Sequence, residues 1–586
     1  MSVKKHVFKS ILIAILMPVL FVPALAQKSS KKKSPKASKS NFTPKELAET
    51  DRVYFEACFI EGMRYYLIGQ TQFALTFFDK AYSIDPTNGG VNYQLSKINY
   101  SISNNARALV TAENAVKSDS KNIEYLIQLA RVYEAQADYE SANKTYQKII
   151  SDFPGNEEYY YQIGATQIQL NKLDDAIKTY DKIETIFGKS FELTRQKQQL
   201  YIKQNKPELA IKEGQKLIDS DPTNLQYQVG QAELYYLISE IPKSTVILKS
   251  VLQKDPNQIQ AHVLFVDIYK STNEKEKLFA EYKYLIGREN VSDQTKQQII
   301  QDALQAAITP ETKAQLLELT TIFVTQNPSN NIALTSQGDA LFVNGKKAES
   351  RKYYSASAKV DGNNYNLWLQ ILTLDFEFKD YDTLVAHGTQ ATEYFPNQSA
   401  VWYYRALGYY NLKQFPSAIE SLEEAKNLSS KDIKFRMQCL TLLGDTYNET
   451  KQYSESDEAF GEILRYDKNN DYVLNNYSYY LSLRKDKLEL AKTMAERVVN
   501  RNPTEPNYID TYAWVLYQMK DYEGAKKQLD AALINTQNGT ILEHYGDVLY
   551  QLGDKANAVE YWKKAKTAGD ASEFINKKIA EGKLYE

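Results

Sequence analysis

Residues 47–570 carry apolar side chains in short stripes that have the spacing of an α-helix. Positions i, i+3, i+4 and i+7 are apolar, and this spacing predicts amphipathic helices. Two such stripes follow each other in the segment 542–565. Their residues are Leu542, Tyr545, Val548 and Leu549 in the first, and Ala558, Val559, Trp562 and Ala565 in the second. Because little sequence separates the stripes, they predict two helices joined by a tight turn.

This two-helix pattern repeats every 34 residues. The first copy supplies a template of small, apolar and turn residues: Gly62, Tyr65, Ala74, Phe78, Ala81 and Pro86. Fifteen copies follow one another, and we number them 1 to 15 in chain order. Small residues at positions 8 and 20 of a copy let its two helices approach closely, and position 20 is Ala or Ser in twelve copies. Leu278, Leu316 and Leu384 are the exceptions, and they predict looser packing in the middle copies.

The prolines support this register because proline breaks the interior of a helix. Seven of them fall between copies, at Pro86, Pro154, Pro222, Pro256, Pro328, Pro396 and Pro503. Four fall at or beside the turn inside a copy, at Pro207, Pro242, Pro310 and Pro416. Two four-residue insertions interrupt the period, and we place them near 290–295 and near 429–432.

A 34-residue period with Gly or Ala at position 8, Ala at 20 and 27, and Pro at 32 resembles the tetratricopeptide repeat (TPR). The resemblance implies an all-α fold, a right-handed α-solenoid superhelix of about fifteen helix pairs. We divide it into an N-terminal array (47–290), an irregular middle array (291–436) and a C-terminal array (437–570). Residues 571–586 are expected to form a capping helix and tail that shield the open end of the solenoid.

The first 46 residues are predicted to lie outside the repeats. Residues 1–26 combine a Lys-containing start, a ten-residue apolar stretch and a small-x-small site, which is typical of a signal peptide cleaved after Ala26. An uncleaved anchor is the alternative. Residues 27–46 form a Lys- and Ser-rich tether that is either weakly attracted to anionic envelope components or a plain spacer. We therefore expect an exported, periplasmic protein, at most peripheral to the outer membrane.

Composition argues against several classes of function. The ten Lys of residues 1–45 are part of 71 basic residues, so 61 remain against 73 acidic ones, a net charge of −12 that disfavours nucleic acid. The four His and two Cys have no metal-ligand spacing. We find no catalytic motif, no cofactor fingerprint and no later apolar stretch long enough for a membrane span. The sequence therefore predicts no enzyme activity, no cofactor and no metal.

The resemblance also implies where a partner would bind. In TPR arrays the first helix of each pair lines a concave groove with its positions 2, 5, 9, 12 and 13. Applied to this chain, these positions give a groove of aromatic, amide and acidic residues. The candidate partner-binding residues are Tyr403, Tyr410, Asn476, Tyr480, Asp510, Trp514, Tyr517, Asp547 and Tyr550. Tyr and Trp are frequent binding anchors, but packing between repeats is an equally weighted alternative for these side chains.

These observations predict a non-enzymatic protein-interaction scaffold in the bacterial periplasm. Its partner would be a peptide or helix held in the groove. The chain resembles the periplasmic TPR proteins of Gram-negative bacteria, and this resemblance implies a role in supporting the assembly of envelope machinery. The alternative is a carbohydrate- or peptidoglycan-associated accessory protein, because aromatic grooves also stack sugars.

Overall fold

The computed structural model describes residues 46–585, so the predicted signal peptide and nearly all of the tether lie outside the described residues. The described chain consists of 31 α-helices and contains no strand. This architecture confirms the prediction of an all-α solenoid, with fifteen helix pairs and one final short helix. Helices α(2n−1) and α(2n) form copy n.

The chain divides into two compact units, one ending at Ile247 and the next beginning at Leu248. The first unit contains α1 (Glu49–Leu67), α2 (Thr71–Ile84), α3 (Gly89–Ser101), α4 (Asn105–Ser118), α5 (Ile123–Ala135), α6 (Tyr139–Asp152), α7 (Glu157–Gln169), α8 (Leu173–Phe187), α9 (Phe191–Lys203), α10 (Pro207–Ser220) and α11 (Leu225–Leu237). The boundary falls within α12 (Ile241–Lys254).

The second unit contains the remaining helices and the candidate partner-binding residues. They are α13 (Ile259–Thr272), α14 (Lys275–Ile286), α15 (Asp293–Ala306), α16 (Pro310–Gln326), α17 (Asn331–Val343), α18 (Lys347–Val360), α19 (Tyr365–Glu377), α20 (Tyr381–Tyr394), α21 (Ser399–Asn411), α22 (Phe415–Leu428), α23 (Ile433–Glu449), α24 (Tyr453–Tyr466), α25 (Asp471–Arg484), α26 (Leu488–Arg501), α27 (Pro506–Gln518), α28 (Tyr522–Ala532), α29 (Gly539–Gln551), α30 (Lys555–Ala568) and α31 (Ile575–Glu581).

The turn inside nearly every pair contains a residue in the left-handed conformation. Ser103 has φ of 59° after α3, and the next N–H, that of Asn104, donates to the carbonyl of Asn99 at 2.8 Å. This bond satisfies a carbonyl that the end of the helix leaves without a partner. Fourteen of the fifteen copies have such a residue in the turn; copy 8 instead starts its second helix with a Thr309 cap and Pro310.

Asparagine caps start many of the first helices. The Asn88 side-chain oxygen accepts a hydrogen bond from the Val91 N–H at 3.1 Å, which satisfies one free donor of α3. The same cap recurs at Asn122, Asn156, Asn224, Asn330, Asn364, Asn470 and Asn538. Pro86, Pro154, Pro222 and Pro328 precede four of these caps, and together they mark where one copy ends and the next begins.

Glycine at position 8 brings the two helices of a pair into close contact. In copy 12 a Cβ on Gly444 would lie 2.6 Å from the ring of Phe460 at position 24, which is too close for any side chain. The same glycine–aromatic contact occurs in four other copies, at Gly62 and Phe78, Gly164 and Tyr180, Gly338 and Tyr354, and Gly546 and Trp562. The large ring of the second helix thus fills the space that the missing side chain leaves.

The two insertions lie inside helices and not in the loops where we expected them. Helices α16 and α23 have 17 residues each, whereas first helices commonly have 13 and second helices 14. Residues 429–432, the second predicted insertion, form a connection of ordinary length. The three-array division of the sequence stays a prediction.

Candidate partner-binding surface

The structure brings four of the predicted residues together around an aspartate that the sequence analysis did not select. Tyr403 and Tyr410 lie on α21, Asp445 on α23, and Asn476 and Tyr480 on α25, all of them first helices of consecutive copies. Tyr472, the second residue of α25, completes the group. We call the six residues Tyr403, Tyr410, Asp445, Tyr472, Asn476 and Tyr480 the Asp445 surface.

Asp445 is the centre of this surface and is only 7% exposed. The Tyr480 hydroxyl donates to its Oδ1 at 3.0 Å, and the Tyr472 hydroxyl donates to its Oδ2 at 3.3 Å. Burial raises the pKa of Asp445 to about 6, the two hydroxyls and Asn476 offset part of that effect, and the like charge of Glu449 adds to it. Asp445 is therefore a carboxylate whose hydrogen bonds come from neutral groups.

The neighbouring repeat supplies these donors because the aspartate's own repeat cannot. Position 24 of copy 12 is Phe460, which has no hydrogen-bonding group. Its ring packs 6.0 Å from that of Tyr480 and 5.5 Å from that of Tyr477. This contact holds Tyr480 in the orientation that reaches Asp445.

The rest of the surface is aromatic and partly open to solvent. Tyr472 is 51% exposed, whereas Tyr403, Tyr410, Asn476 and Tyr480 are half-buried. Burial raises the pKa of Tyr403 to about 12, and its ring meets that of Phe435 edge-on at 5.3 Å. The Tyr403 hydroxyl thus stays neutral near pH 7 and can donate a hydrogen bond.

Trp514 and Tyr517, two of the candidate partner-binding residues, are buried in the contact between copies 14 and 15. Trp514 is only 9% exposed and lies between the Tyr517 ring, at 4.7 Å, and the His544 ring, at 4.1 Å. Tyr517 is also buried and accepts a hydrogen bond from Gln551 at 3.3 Å. Both side chains pack copy 14 against copy 15.

Asp510 takes part in the same contact between copies. Its Oδ1 lies 2.9 Å from Nδ1 of His544, which stacks on Trp514. Burial alone would lower the pKa of His544, but the nearby Asp510 carboxylate outweighs it and raises the pKa. Asp510 is half-buried and is the hydrogen-bond partner of the His544 ring.

Asp547 is likewise an internal residue, 1% exposed, because the C-terminal helix covers it. Nζ of Lys578 on α31 donates to its two oxygens at 2.8 and 2.7 Å, and Nε1 of Trp562 donates to Oδ1 at 2.8 Å. Lys578 also lies 2.8 Å from Glu543. Tyr550, half-buried, stacks on Trp562 with ring centres 5.9 Å apart. The tail of the chain thus occupies the groove positions of the last copy.

Three residues of these sites were missed for different reasons. Asp445 occupies position 9 of copy 12, so applying the groove positions to that copy would have found it. Tyr472 precedes position 2 of its copy, and Lys578 lies beyond the repeats, so the groove positions could not select either one. Only the packing of neighbouring helices reveals them.

The described residues offer little for other chemistry. Within 46–585 we find no group of three His, Cys, Asp or Glu side chains that could hold a metal ion. Cys58 and Cys439 are both buried thiols outside any disulfide, and burial raises the pKa of Cys439 to about 12. None of the 31 helices combines the length and the apolar character that a bilayer crossing requires.

Family models match three parts of the chain. One described as "Anaphase-promoting complex, cyclosome, subunit 3" matches residues 102–183, and two described as "Tetratricopeptide repeat" match residues 438–470 and 513–573. The chain contains tetratricopeptide repeats. The TPR segments 438–470 and 513–573 include Asp445 and the Trp514 contact. Scaffolds built from tetratricopeptide repeats are typical of protein–protein interaction, and TPR solenoids are generally non-enzymatic.

This TPR chain is only weakly similar to solved structures. Yeast Tom70 is 13% identical, with 91% of this chain and 95% of that one covered and a TM-score of 0.29. A tetratricopeptide repeat protein from Parabacteroides merdae is 20% identical (42% and 98% covered, TM-score 0.27). MamA from Desulfovibrio magneticus is 16% identical (31% and 98% covered, TM-score 0.26). TM-scores this low carry no argument about function. None of the curated proteins matches the chain.

Proposed function

We propose that this chain is a non-enzymatic scaffold that binds a segment of a protein partner on the Asp445 surface. The observation that carries the proposal is the position of Asp445, a carboxylate bonded only to neutral groups beside the half-exposed Tyr472. Tyr side chains present large contact area with few rotatable bonds, so they suit such a surface. The remaining predicted residues, in copies 14 and 15, make contacts within those copies and with α31 and lie outside the proposed surface.

The charges of the surrounding helices favour a basic partner. Arg405 donates to Ser421 at 3.0 Å, Arg436 to Glu462 at 2.7 Å and Arg484 to Asp457 at 2.6 Å. The arginines of α21, α23 and α25 are therefore engaged with the second helices. Asp445 and Glu449 keep their negative charge on the first-helix side, and a positive group of a partner would complement them.

We place the protein in the periplasm, where it would support the assembly of envelope machinery. The support is the signal-like segment 1–26, which predicts a mature chain beginning at Gln27. Sequencing the N-terminus of the protein purified from its native host tests this. A chain that starts at Met1 in the cytoplasmic fraction would contradict the placement.

The binding surface is tested by a matched pair of double substitutions. Tyr410→Ala with Tyr472→Ala removes two rings of the Asp445 surface, whereas Tyr100→Ala with Tyr466→Ala removes two exposed rings elsewhere. We expect the first variant to recover roughly tenfold less of a co-purifying protein from native-host extracts, and the second to recover it fully. Equal recovery by both variants, with unchanged helical content, would contradict the proposal.

The same two variants also test the carbohydrate-binding alternative. Both variants and the unmodified chain are sedimented with purified peptidoglycan sacculi. If the Tyr410 and Tyr472 changes abolish co-sedimentation and leave protein recovery unchanged, then the surface binds glycan and the scaffold proposal is wrong.

A further inference from the structure

The chain contains its own example of a group bound at a groove aspartate. Lys578 inserts its ammonium between Asp547 and Glu543, at 2.7–2.8 Å from their oxygens, and is almost fully buried there. Although burial alone would raise the pKa of Glu543, the hydrogen bonds from Lys578 and Ser572 lower it below the usual value. In this chain, therefore, a lysine occupies a site made of a groove aspartate and a second carboxylate of the same helix.

Asp445 has the same local setting as Asp547. Each follows a glycine at position 8, Gly444 or Gly546, that contacts an aromatic ring of the second helix. Each also has a second carboxylate one helical turn away on the same helix: Glu543 precedes Asp547 by four residues, and Glu449 follows Asp445 by four. Glu449 is exposed, and its charge raises the pKa of Asp445.

The two sites differ in what occupies them. Asp547 has its lysine, whereas Asp445 has two tyrosine hydroxyls and, among the residues that the structure describes, no ion pair. One of those hydroxyls belongs to Tyr472, whose half-exposed side chain forms the solvent side of the site. A side chain that enters beside Tyr472 would reach both Asp445 and Glu449.

We propose that the partner inserts a lysine between Asp445 and Glu449, as Lys578 is held between Asp547 and Glu543. This inference rests on the proposed function and specifies the chemistry of its partner. The gain is electrostatic, because an ammonium would neutralise two neighbouring carboxylates, one of which is already removed from water.

Asp339 provides a matched control for Asp445. It follows Gly338, occupies position 9 of copy 9, and accepts a hydrogen bond from Tyr354 of its own repeat at 2.7 Å. Burial raises the pKa of Asp339 too, but no second carboxylate contributes. Asp339→Asn therefore removes an equivalent aspartate that lacks the paired charge.

The experiment combines these variants with zero-length cross-linking. Full-length chains with no change, with Asp445→Asn and with Asp339→Asn are incubated in native-host extracts, and part of each sample is treated with a carbodiimide. This reagent joins a carboxyl to a lysine amine that touches it, with loss of water. The exposed pair Lys347 and Glu377, 2.6 Å apart, reports that the reaction works. Hydrogen exchange checks the fold of each variant, in α23 and α25 for Asp445→Asn and in α17 and α18 for Asp339→Asn.

We expect the protein that depends on Tyr410 and Tyr472 to be recovered about thirtyfold less by Asp445→Asn, and normally by Asp339→Asn. The unmodified chain should yield a peptide in which Asp445 or Glu449 is joined to a partner lysine. Normal recovery by Asp445→Asn, equal loss with Asp339→Asn, or a missing lysine link while the Lys347–Glu377 link forms would each overturn the lysine inference and leave the proposed function intact. If no protein depends on Tyr410 and Tyr472, the proposed function itself fails.

Discussion

Two glycines of copy 12 show how much single residues matter to the packing of a pair. A Cβ on Gly444 would collide with the buried ring of Phe460, whereas a Cβ on Gly461, in the second helix of the same copy, would meet nothing within 4 Å. We expect Gly444→Ala to destabilise copy 12 by about 1–3 kcal/mol. Gly461→Ala should be neutral or stabilise it by up to about 1 kcal/mol. Hydrogen exchange of α23 and α24 measures both, and equal effects would contradict the packing described here.

The charge of Asp445 should make local stability depend on pH. Its pKa is about 6 in the folded chain, above the value of 3.8 for an unburied Asp, so the folded state binds the proton more tightly. Stability therefore rises as the pH falls from 7.5 through 6, and Asp445→Asn should remove that dependence.

The Asn variant should accordingly be about 1–3 kcal/mol more stable than the unmodified chain around α23 at pH 7.5. The difference should shrink towards pH 4.5. Comparing hydrogen exchange of the two chains at each pH cancels the intrinsic exchange rates. A variant that is less stable at pH 7.5 would contradict a raised pKa of Asp445.

At the scale of the residue, the sequence pattern predicted the helix on which a side chain lies but not how exposed that side chain is. The pattern correctly placed Trp514 and Asp547 on first helices. Their burial, however, depends on His544 and Lys578, which belong to other elements. The repeat period and the composition predict on which face of its helix a side chain lies. They do not predict which residues of the neighbouring helix pack against that side chain.

Among the elements, the cap α31 depends on one buried lysine. Lys578→Met would leave Asp547 and Glu543 buried without their cation, which typically costs about 3–5 kcal/mol. Lys577→Met changes the neighbouring exposed lysine and should have little effect. Because repeats contact mainly their neighbours, we expect hydrogen exchange to become faster in α29, α30 and α31. The exchange rates of α13 to α20 should not change. A loss of protection that extends to those earlier helices would contradict this local coupling.

The helix pairs themselves could be predicted closely, because the 34-residue period sets the register and the prolines lie at or beside the turns. The two insertions could not. Four residues add nearly one helical turn of about 3.6 residues, so the apolar stripe keeps its face whether a loop or a helix is lengthened. The sequence pattern therefore cannot separate a longer α16 or α23 from a longer connection.

On the scale of the whole molecule, one pair of helices is repeated fifteen times, and the copies differ in the residues of their first helices. Copies 11 to 13 combine tyrosines with Asp445 and its neighbour Glu449, whereas copy 15 fills its equivalent site with Lys578. We propose that the first helices of copies 11 to 13, and not their second helices, meet the partner.

Photo-cross-linking at two tyrosines of equal exposure tests that claim most directly. Tyr472 on α25 is 51% exposed and Tyr466 at the end of α24 is 52% exposed, so they differ in location and not in accessibility. Each is replaced by p-benzoylphenylalanine in the native host, and adducts formed under ultraviolet light are identified by mass spectrometry. We expect position 472 to capture a protein at least about tenfold more efficiently than position 466. Equal capture at both positions, or capture at 466 alone, would contradict it.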